Sequence, residues 1–371
     1  MYNYSRKCSQ AFTVAEQVSS GAICSSLVNK CVAQASSWLY CKLMVGLSRP
    51  NRFLKKDPLS DYQTDAEYTA LMEKYKRGPV LGSGAYGTVY KVTCLTTGKE
   101  YVLKYHNSNR GIEDTIVREL SCLTALRGHP YVIDMHNCFV DDGKIAMLMT
   151  YAPYTLSDAI HNGYGVKSYY EQDCWLQCLP LSFVAHFSTQ VANALSYMHR
   201  KNIIHRDITP YNVLLTENLT VKVADLGLSR LSVEVMSPNV VTAPYRAPKL
   251  FSQRHTSAKY TCAIDMWSLG VMIVDAMQGR CVFIGSNIRC ENKSTYKIIT
   301  RTLFPKEKHS ASTSTPCDPD NIMPKVMQCE LVKRIVFRLL FQIDYHPLQG
   351  PYTCRVRNRV SPMQIVVVVV L

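Results

Sequence analysis

Between Ile204 and Gly227 the chain reads IHRDITPYNVLLTENLTVKVADLG. The stretch sets two acids, Asp207 and Asp225, and one amide, Asn212, around two short apolar runs, Asn212–Leu215 and Val221–Ala224. Thr216-Glu217-Asn218 between the runs reads as a turn, so the runs pair as a β-hairpin. The loop before the hairpin then places Asp207 near Asn212, and the hairpin returns Asp225 to the same end. Two carboxylates and an amide oxygen grouped in this way suit phosphoryl transfer with a metal ion. One carboxylate takes or orients a hydroxyl proton. The other carboxylate and the amide oxygen hold Mg²⁺, a hard cation that prefers oxygen ligands.

A chain of 371 residues, 47% hydrophobic, can hold one large domain or two lobes with cores of their own. Its 15 cysteines are odd in number and never form a C-x-x-C pair. That argues against zinc ribbons and a disulfide scaffold, and for a reducing compartment. The net charge of +14 belongs to the ends: residues 1–60 hold 8 Lys/Arg against 2 Asp/Glu, 321–371 hold 7 against 2, and the middle holds 27 against 24. Solvated faces account for this before acidic partners do. No compact basic run with interleaved aromatics points to nucleic acid or to a membrane. The start, MYNYSRKCSQAFTVAEQ, lacks the apolar core of a signal peptide. Ile365–Leu371 is apolar but far short of the ~20 residues of a helical span. It reads as a terminal strand, a membrane-touching end or an unstructured end. The expected location is intracellular, in cytoplasm or nucleus.

Residues 1–74 show no clear period and read as an accessory or poorly ordered extension, with a short helix in Asp65–Lys76. Val80–Tyr90 then gives G-x-G-x-x-G through Gly82, Gly84 and Gly87. A dinucleotide-binding loop of this pattern opens a helix. Here an alternating, β-branched run, Thr88–Thr93, follows instead, so the glycines lie in a hairpin. Glycine there lets backbone approach phosphate oxygens without a Cβ in the way. Tyr101-Val102-Leu103-Lys104 puts a lysine at the end of an apolar strand. Ile112–Leu126 has helical spacing at Ile112, Ile116, Leu120 and Leu123, and carries Glu119. His129–Ile133 and Ile145–Met149 read as strands joined by a turn at Asp141–Lys144. Residues 161–181 read as a loop, and Leu181–Arg200 as a helix with Val184, Phe187, Val191, Leu195 and Met198 on one face. Thr295–Phe304 and Leu331–Ile343 read as helices, and Lys306–Asp320 as a loop.

The order of these pieces resembles the eukaryotic-type protein kinases. His205-Arg206-Asp207 with Asn212, and Asp225-Leu226-Gly227, resemble that family's H-R-D-x-x-x-x-N and D-F-G. Tyr101–Lys104 is similar to its V-A-I-K, with Val102 where alanine is usual. Val240-Val241-Thr242-Ala243-Pro244-Tyr245-Arg246-Ala247-Pro248-Lys249 resembles the V-V-T-x-W-Y-R-A-P-E of cyclin-dependent-like kinases. Asp265–Val271 and Gly279–Gly285 resemble their D-I-W-S-L-G-C and G-R-P-L-F-P-G. The resemblance runs from about Gly78 to about Pro347.

It implies an α+β, two-lobed protein-kinase-like fold. A small β-rich lobe with one helix and a larger, mainly α-helical lobe hold ATP between them. The expected divisions are 1–74, a kinase domain at 75–350, and a basic then apolar tail at 351–371. The implied activity is transfer of the γ-phosphoryl group of Mg-ATP to serine or threonine hydroxyls of proteins, favoured over tyrosine by Pro210 and Thr242. Asp207 would orient or deprotonate the hydroxyl, Lys104 would hold the α/β-phosphates, and Glu119 would position Lys104. Asn212 and Asp225 would bind Mg²⁺. Leu81, Gly82, Ser83, Gly84, Ala85, Tyr86, Gly87, Thr88, Val89 and Leu214 would line the nucleotide. Met149 would be the gatekeeper, with Thr150 and Ala152 in the hinge against the adenine. A cyclin-like or other regulatory partner is a further implication.

Several positions depart from the family pattern. Thr209 stands where most serine/threonine kinases carry a lysine for the γ-phosphate. The local form D-I-T-P-x-N-V-L resembles the catalytic loop of some herpesvirus protein kinases, which suggests a viral source and shows that threonine there is compatible with activity. Leu226 replaces the phenylalanine of D-F-G, and would join a stack with Leu123, Met135 and His205. Lys249 replaces the glutamate of A-P-E, and Leu348-Gln349-Gly350 stands where its arginine partner is expected. Losing both partners is milder than leaving one charge buried alone. Ser237 sits near the register of an activating phosphosite that Arg206 could hold; an ordinary loop serine is the alternative. The departures leave a second reading open, a nucleotide-binding scaffold of weak or no catalytic activity.

Overall fold

Alternating β-branched and aromatic residues on either side of tight turns build the first part of the structure. The computed structural model describes residues 73–84, 87–107, 114–141, 144–161, 178–231, 241–251, 260–284, 291–304 and 319–341. They divide into two units: the residues up to Tyr151 together with Asp225–Gly227, and the remainder.

In the first unit β1 (Tyr75–Gly84), β2 (Gly87–Cys94), β3 (Glu100–His106), β4 (Met135–Asp141) and β5 (Lys144–Thr150) form an antiparallel sheet in the order β1-β2-β3-β5-β4. Helix α1 (Asp114–Leu126) lies between β3 and β4 in sequence. Val92, Leu103, Tyr105, Ala146 and Leu148 form a buried cluster, edged by Tyr75, Tyr90, Tyr101 and Phe139. Each aliphatic residue fully buried there contributes roughly 1.5–3 kcal/mol. Tyr75 and Tyr90 meet Tyr101 and Tyr105 edge to face, at ring separations of 5.7 and 5.8 Å. Ile116, Leu120 and Leu123 of the expected stripe are buried on α1, and Leu126 joins them; Ile112 lies outside the described residues.

The β1–β2 hairpin closes with Gly84 opposite Gly87. Gly87 has φ of +144°, and a Cβ on it would stand 1.8 Å from the Tyr105 carbonyl oxygen. Only glycine fits there, because Gly87 pairs opposite His106 at the end of β3 with the Tyr105 carbonyl directly against it.

Three sequence expectations change. His129–Ile133 is a turn with an isolated bridge at Val132, and the strand begins at Met135. The segment satisfies its backbone locally: the Val132 N–H donates to His129 O at 3.2 Å, and the Gly128 N–H to Asp134 Oδ1 at 2.9 Å. Pro130 has no N–H to give a ladder. Tyr75 and Lys76, expected to end a helix, open β1; residues 65–72 of that helix lie outside the described residues. Pro319 and Asp320, expected in a loop, begin a helical turn with proline at its first position. The extension before Glu73 and the tail from 351 also lie outside the described residues.

The second unit is mainly helical. It contains β6 (Tyr154–Thr155), α2 (Leu156–His161), α3 (Leu181–Arg200), β7 (Ile203–Ile204), β8 (Val213–Leu215), β9 (Val221–Val223), β10 (Arg230–Leu231), α4 (Pro248–Phe251), α5 (Ala263–Gln278), α6 (Glu291–Leu303), α7 (Pro319–Ile322), α8 (Pro324–Gln328) and α9 (Glu330–Phe341). The expected stripe of α3, Val184, Phe187, Val191, Leu195 and Met198, is buried. Helix α5 is buried nearly all round, and α3 and α9 pack on it. Gly270 permits the close approach of α9: a Cβ there would lie 3.0 Å from Leu340 Cδ2 and 3.1 Å from Leu339 Cβ. No described helix is long and apolar enough to cross a membrane.

Candidate functional site

The sequence-selected residues fall into two groups, one in each unit. In the first, the glycine hairpin is exposed at Leu81–Gly84, and Val89 and Thr88 are half-buried. A Cβ on Gly82 or Gly84 would meet nothing within 4 Å, so the backbone of the hairpin is open at both glycines. Asn107 Nδ2 donates to Gly84 O at 3.1 Å, and the Ser83 and Thr88 hydroxyls are 3.3 Å apart. Ala85 and Tyr86 lie outside the described residues.

Lys104 lies two residues before the end of β3, and its Nζ donates to Glu119 Oε1 at 2.6 Å and to Oε2 at 2.9 Å. The Glu119 side chain is 4% exposed and that of Lys104 is 17% exposed. Burial pushes the Glu119 carboxyl up, and Lys104 opposes this by charge and hydrogen bonding. Such a pair is poor stability design, because desolvation consumes most of the Coulombic gain. It fixes an ammonium in place. Asp225 is close enough to raise Glu119 further by charge. Its φ of +57° puts a non-glycine residue in the left-handed region. Met149 is buried, and Thr150 ends β5. The Thr150 N–H donates to Asp134 O at 3.0 Å. Leu226 is fully buried, as a side chain replacing the usual phenylalanine must be.

In the second unit Asp207 and Asn212 stand together. Asn212 Nδ2 donates to the Asp207 carbonyl at 2.8 Å and to Asp207 Oδ2 at 3.0 Å. With the amide nitrogen so engaged, Asn212 keeps its oxygen as the acceptor end, the atom a hard cation takes. Asp207 Oδ1 accepts from the Thr242 N–H and hydroxyl, both at 3.1 Å. The loop is pinned from below by Asp265, which is 1% exposed. Its Oδ1 accepts the Arg206 N–H at 2.9 Å; its Oδ2 accepts the His205 N–H at 2.9 Å and His199 Nε2 at 2.8 Å. Burial alone would raise the Asp265 carboxyl, but the bonds and charge from His199 and its other donors hold it below the usual range. His199 goes the other way. Burial pulls it down, yet the hydrogen bonds to Asp265 and Cys262 win and raise it to about 9.

His205 Nδ1 accepts the Asp207 N–H at 3.3 Å, and its Nε2 is 3.0 Å from Ala224 O. Those partners require the Nε2–H tautomer. Arg206 is 3% exposed; its Nε donates to Leu228 O at 2.6 Å and its Nη1 to the Tyr260 hydroxyl at 3.0 Å. Ser237 lies outside the described residues. Thr209 is 2% exposed, so its side chain packs inward. Leu214 is half-buried on β8, Ala152 half-buried ahead of β6, and Lys249 half-buried on α4; residues 348–350 lie outside the described residues.

Sequence reasoning missed two features. Val241 has φ of +69°, strained for a β-branched residue, and its carbonyl accepts Arg246 Nε at 3.0 Å and Nη2 at 2.7 Å. His106 lies beside the Lys104–Glu119 pair, its Nε2 at 3.6 Å from Glu119 Oε2. No residue pattern marks a positive φ at valine. A histidine on a strand reads as an ordinary polar position.

A family model described as the protein kinase domain matches residues 75–345. The chain is 31% identical over 222 residues to "Cell division control protein 2 homolog 3" of Trypanosoma brucei brucei, covering 58% of this chain and 66% of the relative. It is 33% identical over 220 residues to "Cyclin-dependent kinase 4 homolog" of Caenorhabditis elegans, covering 56% and 50%. The chain thus spans between half and two thirds of these relatives' length. Its fold is similar to a chain of the CAK complex of Chaetomium thermophilum bound to ATP-gamma-S. That match has a TM-score of 0.61, 22% identity, and coverage of 75% of this chain and 88% of the other.

Proposed function

We propose that this chain, which belongs to the protein kinase family, transfers the γ-phosphoryl group of Mg-ATP to serine or threonine hydroxyls of proteins. The observation that carries the reading is the formed Lys104–Glu119 pair, 2.6 Å long, in a chain that also retains Asp207, Asn212 and Asp225. The bound nucleotide would supply the phosphoryl group, and Asp225 and Asn212 present the oxygen donors that suit its Mg²⁺. Lys104, held by Glu119, neutralises phosphate charge. Asp207 accepts from or orients the attacking hydroxyl. Its two oxygens are already aligned by Asn212 and Thr242, so little reorganisation remains for the reactive step.

The same reading extends to the substrate. On this proposal the residue after the phosphoacceptor lies against Val241, whose neighbour Thr242 bonds Asp207. The Val241 carbonyl is spent on Arg246 and has nothing to offer a peptide N–H. Proline has no N–H to leave unsatisfied, so proline after the acceptor is the favoured substrate. One relative is by name a cyclin-dependent kinase, and a cyclin-like regulatory partner is the corresponding proposal for this chain. Residues 75–350 are proposed as the kinase domain, with 1–74 and 351–371 flanking it.

The test is transfer of labelled γ-phosphate to Ser-Pro, Thr-Pro and matched Ser-Ala peptides, with Asp207→Asn as control. Equal incorporation by both proteins would sink the enzyme reading. Nucleotide binding without transfer would favour the scaffold reading.

A further inference from the structure

The roles just proposed leave one buried group beside the Lys104–Glu119 pair unused. His106 ends β3, two residues beyond Lys104 and therefore on the same side of the strand. It is 4% exposed, and its Nε2 has no hydrogen-bond partner among the described residues. That nitrogen lies 3.6 Å from Glu119 Oε2. Oε2 is also the more weakly held oxygen of the carboxylate, at 2.9 Å from Lys104 against 2.6 Å for Oε1.

Lys104 has three N–H donors, and two are on Glu119 here. A phosphate placed against Lys104 takes the third donor as the ammonium turns toward it, and the longer bond to Oε2 is the one that this turn stretches. Oε2 would then sit unsatisfied in a dry site, a costly state for a charged acceptor. His106 Nε2 faces that oxygen. Closing to an ordinary N–H···O separation of about 3 Å is a side-chain adjustment. We infer that His106 is a positioning residue for Glu119, its Nε2–H taking over Oε2 when Lys104 turns toward the nucleotide. The inference rests on the kinase reading for the direction in which Lys104 turns.

The surrounding charges suit this role. Lys104 on the same strand, Glu119 on α1 and Asp225 are the charged groups that act on His106 or its partner. Burial, and after it the charge of Lys104, hold the imidazole down at about 4, against an opposing pull from Asp225. The ring is therefore neutral at physiological pH. It donates from one nitrogen without adding a second cation to compete with Lys104. Glu119 needs that donor, since burial pushes it up, Lys104 pulls it back, and Asp225 adds to the rise. A hydrogen bond to the ionised form keeps the carboxylate charged.

His106→Leu removes the donor and keeps an apolar side chain; His106→Gln returns an N–H. In the full-length chain, kcat/KM for ATP at pH 7 falls about 10-fold in His106→Leu and returns to within about 3-fold of the unsubstituted protein in His106→Gln. The acid limb of the kcat/KM profile moves to higher pH in His106→Leu alone, because Glu119 has lost a donor to its charged form. A packing role gives the opposite order, leucine tolerated better than glutamine, with an unmoved limb. Either result overturns the inference. A second readout needs no catalysis: the ¹³C carboxyl shift of Glu119 in glutamate-labelled protein saturated with Mg-ADP, assigned by its loss in Glu119→Gln. A titration midpoint no higher in His106→Leu than in the unsubstituted protein also overturns it. If the unsubstituted protein transfers no phosphate, the kinase reading fails, and the carboxyl titration still decides on His106.

Discussion

The two units secure their reactive side chains by opposite means. In the first, Lys104 is fixed by another side chain, Glu119, brought from a helix 15 residues on, and the pair is buried at a desolvation cost. In the second, Asp207 is fixed largely through backbone. The Asp265 carboxylate takes the N–H groups of His205 and Arg206, His205 takes the Asp207 N–H, and the Thr242 N–H caps Asp207 Oδ1. A side-chain pair can open by rotating two torsions while the sheet stays intact. A backbone-pinned loop cannot shift the main chain that carries its carboxylate without unfolding the turn. The first arrangement is settable, and the second is built into the fold.

Substitutions that separate activity from stability sharpen the contrast. The largest expected effect is on catalysis: Asp207→Asn keeps both oxygen contacts to Thr242 in shape and lowers the phosphoryl-transfer rate by on the order of 10³-fold, read by labelled-ATP incorporation. Lys104→Met comes next, with a loss of about 10²-fold in kcat/KM for ATP. The double substitution Lys104→Met, Glu119→Leu should keep an unfolding midpoint close to that of the unsubstituted protein, because replacing both partners of a buried pair leaves no charge stranded. A large loss of stability in that double variant would break the comparison.

The anchor of the second unit should show the reverse balance. Asp265→Asn leaves His199 and two backbone donors poorly matched and costs about 3 kcal/mol in urea unfolding. The His199–Asp265 pair also predicts a pH dependence. His199 is raised in the folded state to about 9 from an ordinary 6.5. The stability it contributes is therefore complete below about 6.5 and fades as pH rises through about 9. Unfolding free energy should fall by about 3 kcal/mol across that window, and His199→Gln should flatten the decline. The smallest effect concerns specificity. Arg246→Ala frees the Val241 carbonyl and cuts the preference for proline after the acceptor by about 5-fold, measured as a ratio of kcat/KM on paired peptides.

The sequence made the second unit's loop and helices legible because their signals are local. The hairpin of β8 and β9, the stripe of α3 and, in the first unit, the glycine hairpin each follow from residue order within about 20 positions. The pairing of Lys104 with Glu119 came from family resemblance. The strand expected at His129–Ile133 failed because apolar, β-branched residues can also fill a turn whose polar groups are met by Asp134 and His129. His106 and Val241 were silent for another reason. Their behaviour depends on a neighbour distant in sequence or on a backbone angle, and neither leaves a periodic mark.

Gly270 carries a consequence for how the protein is made. Its missing Cβ lets α9 seat Leu339 and Leu340 directly on α5, seventy positions further along the chain. Until the ribosome has synthesised past Leu340, α5 emerges without that cover, while Trp267, Met266 and Leu269 are residues the finished fold keeps from water. The nascent chain must therefore hold an apolar helix in waiting, on the scale of several seconds at ~5–20 residues per second. The close packing that completes the unit is therefore also what leaves this apolar surface bare during that interval.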